Sequence, residues 1–393
     1  MQQKLGYVEG MRGVAAVAVV ASHFLQLFLP LVYDNSAKSW GIGERAFETS
    51  PANVIFNPNF AVCLFFVLSG YVLSRGFMAD GDLGRIWRAA FKRFPRLMLP
   101  VLGSVIFVWV MMASGGFRYG DVRSLSGSPV PDYYAVPRSL LYVVREGAFG
   151  VFFSGENSLN PVLWTIGVEL YGSFLVFGLL FAFRRWWFRW IGYGVVAALL
   201  HGTYYLAFPI GVAIAASKTG IAAKPRLAAA LAVAGLALGS YPYYGAGEGF
   251  WSWLPQPGSA LPGVFYHTIG AALLLQAILL SPIKAAFDGA VFRFLGRISY
   301  SLYLVHFTIL ASLSAWLVLR LDPAFGYLPA LATAFVAGLS ASVAVAYIFA
   351  RVIDEPATRV AGRFAWWAMV LISVVSKYIR RQVPRDAIEA APE

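Results

Sequence analysis

Seven stretches of this sequence, 11–32, 53–74, 97–114, 162–183, 262–281, 298–319 and 327–350, stay apolar for about twenty residues each. Wound as α-helices, runs of that length match the hydrocarbon thickness of a bilayer, and in lipid each segment must satisfy its own backbone polar groups. Such a chain is expected to fold as a bundle of membrane helices. Three further apolar segments, 187–201, 203–217 and 226–243, are shorter. Counting them gives an all-α polytopic membrane protein with about ten transmembrane helices. Composition agrees: 59% of residues are hydrophobic and 13% charged, with mean hydropathy +0.67, against roughly 25% charged in ordinary soluble domains. The first run carries Arg12 and His23 and lacks a small-residue cleavage site, so it is expected to stay as the first helix.

A net charge of +12 would suit nucleic acid if it were concentrated on one polar domain. The basic residues instead form short clusters between apolar runs, so the expected partners are membrane lipids, with no nucleic acid. With the N-terminus inside, the cytoplasmic side gathers most of the 31 basic residues, among them Arg75, Arg85, Arg88, Arg93, Arg96, Arg297 and Arg359. Lys38, Arg45, Arg118, Arg123, Arg138, Arg145 and Arg320 fall outside, which places both termini in the cytoplasm. Residues 138–154 are apolar but split by Arg145 and Glu146, and read as an interfacial or re-entrant piece. Phe364 to Val375 is too short to span and is followed by Lys377, Arg380 and Arg381, as in an interfacial helix. The division is therefore a transmembrane domain over 1–363 and an amphipathic, basic cytoplasmic tail over 364–393. The outer loops 34–52, 115–161 and 244–261, rich in Gly, Pro, Ser and aromatics, are expected to form a lid or an acceptor-binding surface. A lone cysteine, Cys63, and four histidines argue against a disulfide framework and a metal site.

No phosphate-binding loop, GxSxG elbow or HExxH motif is present. What remains are polar residues inside apolar helices, which are costly in lipid and functional by default. Arg12 and His23 lie close to three helical turns apart, so they share a face, with His23 about 16 Å further along the axis. With Arg12 at the membrane rim, His23 sits near mid-bilayer, where a neutral imidazole can take a proton from a hydroxyl; the alternative is a histidine bonded within a helix interface. Glu169, in NPVLWTIGVELYGS, must be paired, protonated or wetted. Orienting His23, binding sugar hydroxyls and tying helices together are all open to it. Arg12, Arg75, Arg93 and Arg96 read either as topology and headgroup contacts or as a convergence on a phosphorylated ligand, since guanidinium forks suit phosphate oxygens. Pro95 and Pro100 are expected to break or kink the segment beside them. In GRISYSLYLVHFTIL, Ser299, Tyr300, Ser301, Tyr303 and His306 are expected to line a substrate channel or to bridge helices. Ser69 and Gly70 suit close helix approach, with a donor tunnel as the second reading for Ser69. His201 and His267 receive no role.

Five pieces in order carry a family resemblance: Arg12 with His23, FFVLSGYVLSR, the RxxR of Arg93 and Arg96 before LMLP, LWTIGVELY around Glu169, and ISYSLYLVH with Asp354, Glu355 and Pro356 after the last span. Together they cover residues 8 to 359, and the chain resembles the acyltransferase-3 family of membrane-bound O-acyltransferases. That resemblance implies a ten-helix enzyme of the bacterial inner membrane moving an acetyl or similar acyl group to a carbohydrate hydroxyl of a cell-surface or exopolysaccharide glycan. The donor would be acyl-CoA, with acetyl-CoA favoured, acting as substrate with no cofactor bound permanently. The family's essential arginine and histidine map onto Arg12 and His23, and its inner-face arginines onto Arg75, Arg93 and Arg96. Leu170 departs from the pattern, because many relatives carry a second acidic residue there. The expected mechanism docks acyl-CoA on Arg75, Arg93, Arg96 and Ser69, uses His23 as general base, and gives Arg12 and Glu169 supporting parts in catalysis. A lipid-linked glycan transporter or flippase is the rival reading; it calls for internal repeats with broken helices, and none are visible.

Overall fold

Each long apolar run becomes a helix in the computed structural model, which describes residues 5–32, 39–184, 186–217, 224–242, 249–254 and 262–382. The principal helices are α1 (Gly6–Phe28), α2 (Pro58–Asp80), α3 (Leu83–Ala113), α4 (Trp164–Ala182), α5 (Trp186–Leu199), α6 (Ala207–Ala216), α7 (Pro225–Gly239), α8 (Pro262–Leu280), α9 (Ala290–Phe325), α10 (Tyr327–Phe349) and α11 (Glu355–Gln382). There is no strand among the described residues. Local chemistry sets the boundaries. Asn57 caps α2 by accepting from the Phe60 N–H at 3.0 Å, with Pro58 in the first turn, and Gly81 ends it at φ +70°. Asp82 then caps α3 by accepting from the Gly84 N–H at 2.8 Å.

Seven helices among the described residues are long and apolar enough to cross a membrane. The three shorter expected segments appear as α5, α6 and α7, of 14, 10 and 15 residues. α6 packs on α2 and α7 on α8, so they are integral to the bundle although each falls short of the usual span length. Pro95 and Pro100 do not break α3, which is helical through both over 31 residues. The last two helices also depart from expectation. Phe364 to Val375 is not a separate helix: α10 runs through a π-helical turn at Ala350–Asp354 into α11, and the 363/364 boundary falls within α11. α11 lies along the first half of α3, with Trp366, Trp367 and Leu371 exposed. Residues 383–393 of the expected tail, and 255–261 with 243–248 of the third outer loop, lie outside the described residues.

The segment 138–154 is helical from Leu140 onward, first α and then π, and runs antiparallel along α3. The Arg138 carbonyl accepts from the Trp109 indole at 3.0 Å, while Phe152 packs on Phe94 at 5.2 Å between ring centroids. Between those two levels α3 rises by about 22 Å. The chain turns at Gly155 (φ +67°) and returns to Asn160, whose amide donates to the Leu304 carbonyl at 2.8 Å. Glu146, which divided this run in the sequence, is fully buried and serves the return: it accepts from Ser158 Oγ at 2.5 Å and from the Leu159 N–H at 2.9 Å.

α1 and α9 run parallel in direct backbone contact. A Cβ on Gly296 would meet the Glu9 carbonyl oxygen at 2.3 Å, and one on Gly13 would meet the Gly296 nitrogen at 2.7 Å. Small residues permit this approach, which fixes the relative height of every side chain on the two helices. α2 and α4 run antiparallel to them and α3 parallel, and these five helices enclose the polar interior.

Candidate functional site

The helix boundaries reset the depth of the first motif. α1 begins at Gly6, so Arg12 lies about 9 Å into the helix and His23 about 25 Å in, five residues from its far end. His23 is therefore not central in α1, as expected from a helix starting at Arg12, but in its final third.

Arg12, Ser69, Arg93, Arg96, Glu169, Tyr300 and Tyr303 line one cavity of about 140 Å3 between α1, α2, α3, α4 and α9. A linked polar chain crosses it. The Arg12 guanidinium donates to Ser69 Oγ at 3.2 Å, and Ser69 Oγ donates to Glu169 Oε1 at 2.8 Å. The same carboxylate forms an ion pair with Arg93, whose Nε donates to Ser173 Oγ at 2.6 Å. Arg96 pairs with Asp354 at 2.5 Å and lies over the Tyr300 ring, 5.3 Å from its centroid. Three guanidiniums thus face two carboxylates, and the buried Nε of Arg12 has no hydrogen-bond partner among the described residues. An excess of cationic donors in a small cavity suits a carbonyl or anionic oxygen of a ligand.

Arg75 does not join this group. It donates to the hydroxyls of Tyr7 and Tyr71, each at 3.3 Å, nearer the Gly6 end of the bundle. Four arginines were expected to converge, and the structure brings together three. Glu169 contacts Ser69 and Arg93 rather than His23, so of its three readings the tie between helices is the one its contacts describe. Gly70, next to Ser69, does make the close approach read from the sequence: a Cβ there would meet the Phe208 carbonyl oxygen at 2.4 Å.

His23 lies beyond the cavity, with Tyr303 marking the boundary. The Tyr303 hydroxyl donates to the Val162 carbonyl at 2.7 Å and also lies 2.7 Å from Thr165 Oγ1, and its ring is 6.0 Å from that of His306. One turn further along α9, His306 Nε2 lies 2.9 Å from His23 Nδ1, with the two rings stacked at 5.0 Å. His306 is fully buried, whereas His23 keeps part of its surface open. Beyond the pair, residues 118–133 dock on the end of α1 and the middle of α9. Ser128 Oγ donates to the Gln26 carbonyl at 2.8 Å, the Arg118 N–H donates to the Ala311 carbonyl at 3.2 Å, and Tyr133 packs edge-on to Phe307. In that loop, burial pushes the Tyr119 hydroxyl up to about 12, so it stays protonated beside Ser128 at 2.9 Å.

Several contributors were not singled out from sequence. Asp354 was noted only as part of a motif, yet a carboxylate within an apolar helix calls for a partner by the same rule applied to Glu169. Ser173 and Thr165 carried no signal, and a histidine pair 283 residues apart has no local signature. His267, which received no role, meets an asparagine: Asn57 Nδ2 and His267 Nε2 are 3.3 Å apart, and both approach the Tyr241 carbonyl. That cluster joins helix ends away from the cavity.

Comparison with known proteins adds a second line. A family model described as an acyltransferase domain matches residues 5–351. Acyltransferase clz18 of Cochliobolus lunatus is 23% identical over 78% of this chain and 82% of its own length. Acyltransferase R4 of a Phoma species is 22% identical with the same coverage. The O-acetyltransferase PaAT-1 of Phomopsis amygdali is 26% identical over 47% of this chain and 42% of its own. No solved structure matches.

Proposed function

We propose that this chain, which belongs to the acyltransferase-3 family, transfers an acyl group from acyl-CoA to a hydroxyl of a carbohydrate acceptor across the membrane, with His23 as general base. In this reading the Gly6 end of the bundle faces the cytoplasm. Coenzyme A is a substrate: its phosphates meet Arg75 and the cationic residues at that end, and its arm carries the thioester into the cavity. The acceptor arrives from the outer loops. His23 takes the hydroxyl proton, the oxygen attacks the thioester carbon, the C–O bond forms as the C–S bond breaks, and the proton passes on to the departing thiolate. The guanidinium of Arg12, with its spare N–H, is suited to hold the carbonyl oxygen as charge develops on it.

One observation carries the reading: a histidine that is only partly buried lies one helical turn beyond a cation-rich cavity, with a single tyrosine between them. A transporter needs no such base beside a cationic pocket. The test uses purified protein in lipid nanodiscs with acetyl-CoA labelled in the acetyl group, following thiol release and label on an added oligosaccharide. Wild type is expected to release thiol in step with acceptor labelling, and His23→Ala to lose at least about 10²-fold in rate while remaining folded. Thiol release unchanged in His23→Ala overturns the assignment, and transport of a lipid-linked glycan without thioester consumption favours the rival.

A further inference from the structure

We propose that His306 is the positioning residue for His23: it fixes the tautomer in which His23 carries its proton on Nδ1 and presents a bare lone pair at Nε2. The inference rests on the reading of His23 as the base, and deepens it.

The argument follows the hydrogen-bond valences from the buried end outwards. His306 Nδ1 lies 3.0 Å from the Leu302 carbonyl, one turn earlier in α9. A carbonyl only accepts, so His306 Nδ1 bears the hydrogen. A neutral imidazole has one N–H, which leaves His306 Nε2 as an acceptor. That nitrogen is 2.9 Å from His23 Nδ1, so the hydrogen between the rings belongs to His23. His23 Nε2 is then the unprotonated nitrogen, as a general base requires. Leu302 thereby acts on the protonation pattern of a ring on another helix, alongside the Val19 carbonyl one turn earlier in α1, with which His23 also makes a backbone hydrogen bond.

The geometry also serves the charged state. When His23 takes a proton at Nε2, its Nδ1–H still points at the lone pair of His306, and the bond becomes charge-assisted. This is the part played by the orienting acid in hydrolytic triads, here taken by a neutral ring anchored on a backbone carbonyl. The alternative tautomer would set two lone pairs against each other at 2.9 Å. The backbone contact between α1 and α9 at Gly13 and Gly296 holds the two rings at this separation.

Two substitutions and one spectroscopic measurement test this. In His306→Gln the amide oxygen can occupy the position of Nε2 and keep the acceptor; His306→Leu fills the space without one. Acyl transfer in His306→Leu is expected to lose about 10²- to 10⁴-fold in kcat with KM for acetyl-CoA unchanged, and His306→Gln to restore most of it. In protein carrying ¹⁵N-labelled histidine, the His23 resonances, assigned by their loss in His23→Ala, should report a protonated Nδ1 and a bare Nε2 in wild type. They should report a mixture in His306→Leu. A wild-type proton on Nε2, full kcat in His306→Leu, or equal losses in the Leu and Gln variants would each overturn the proposal. Full transfer in His23→Ala would instead defeat the reading of His23 as base, and leaves the tautomer measurement standing.

Discussion

Removing the charge of Glu169 while keeping its shape isolates the electrostatic load of the cavity. The side chains of Arg93 and Glu169 are 15% and 13% exposed, so the pair is largely shielded from water. Breaking such a pair by removing one partner costs about 3–5 kcal/mol, because the other charge stays buried without compensation. Glu169→Gln keeps an oxygen for Ser69 and leaves Arg12, Arg93 and Arg96 facing Asp354 alone. Since some solvent reaches the pair, the lower end applies. The expected loss is about 3 kcal/mol, roughly a hundredfold in the unfolding equilibrium. Arg93→Met removes the opposing cation, and the double variant should recover a coupling of about 1–3 kcal/mol. Unfolding in mixed micelles, titrated with a denaturing detergent and followed by tryptophan fluorescence, gives all four corners of the cycle. Strict additivity of the single losses would refute the claim that these groups compensate one another, and would assign Glu169 to substrate contact instead.

Two further outcomes follow from packing and from the re-entrant turn. Gly296→Ala drives a Cβ into the Glu9 carbonyl and should cost about 1–3 kcal/mol together with most of the acyl transfer, whereas Gly362→Ala, with open space around it, should be neutral or slightly stabilising; equal effects on thermal stability would refute the close α1–α9 contact. Glu146→Leu strands the Leu159 N–H and should cost about 1–3 kcal/mol, while Glu146→Gln keeps an acceptor and should cost less. Amide hydrogen exchange at Leu159 reads this directly, and unaltered protection in Glu146→Leu would count against the turn.

The legible part of this fold was whatever one helix can encode. Runs of about twenty apolar residues announce their own spans, and a histidine inside one announces its cost, because both follow from the local exchange of water for lipid. Helix ends were less legible: the first run was read from residue 11, whereas α1 begins at Gly6, so Arg12 lies about 9 Å into the helix rather than at its start. Partnership was not legible at all. Arg75 and Arg93 stand in similar apolar-to-basic contexts, yet one meets two tyrosine hydroxyls and the other a carboxylate 76 residues away.

The same contrast explains why His306 looked secondary. In sequence it is one polar residue in a helix that already carries serines and tyrosines, and nothing in its neighbourhood distinguishes it from interhelical glue. Its partner comes from the fold: Gly13 and Gly296 let two backbones approach closely, and the two imidazoles then meet at 2.9 Å. Glycines at a crossing are usually counted as packing. On the proposed tautomer the packing would decide which nitrogen is basic, so a methyl group at position 296, some ten residues along α9 from the histidine, should alter chemistry before it unfolds the bundle.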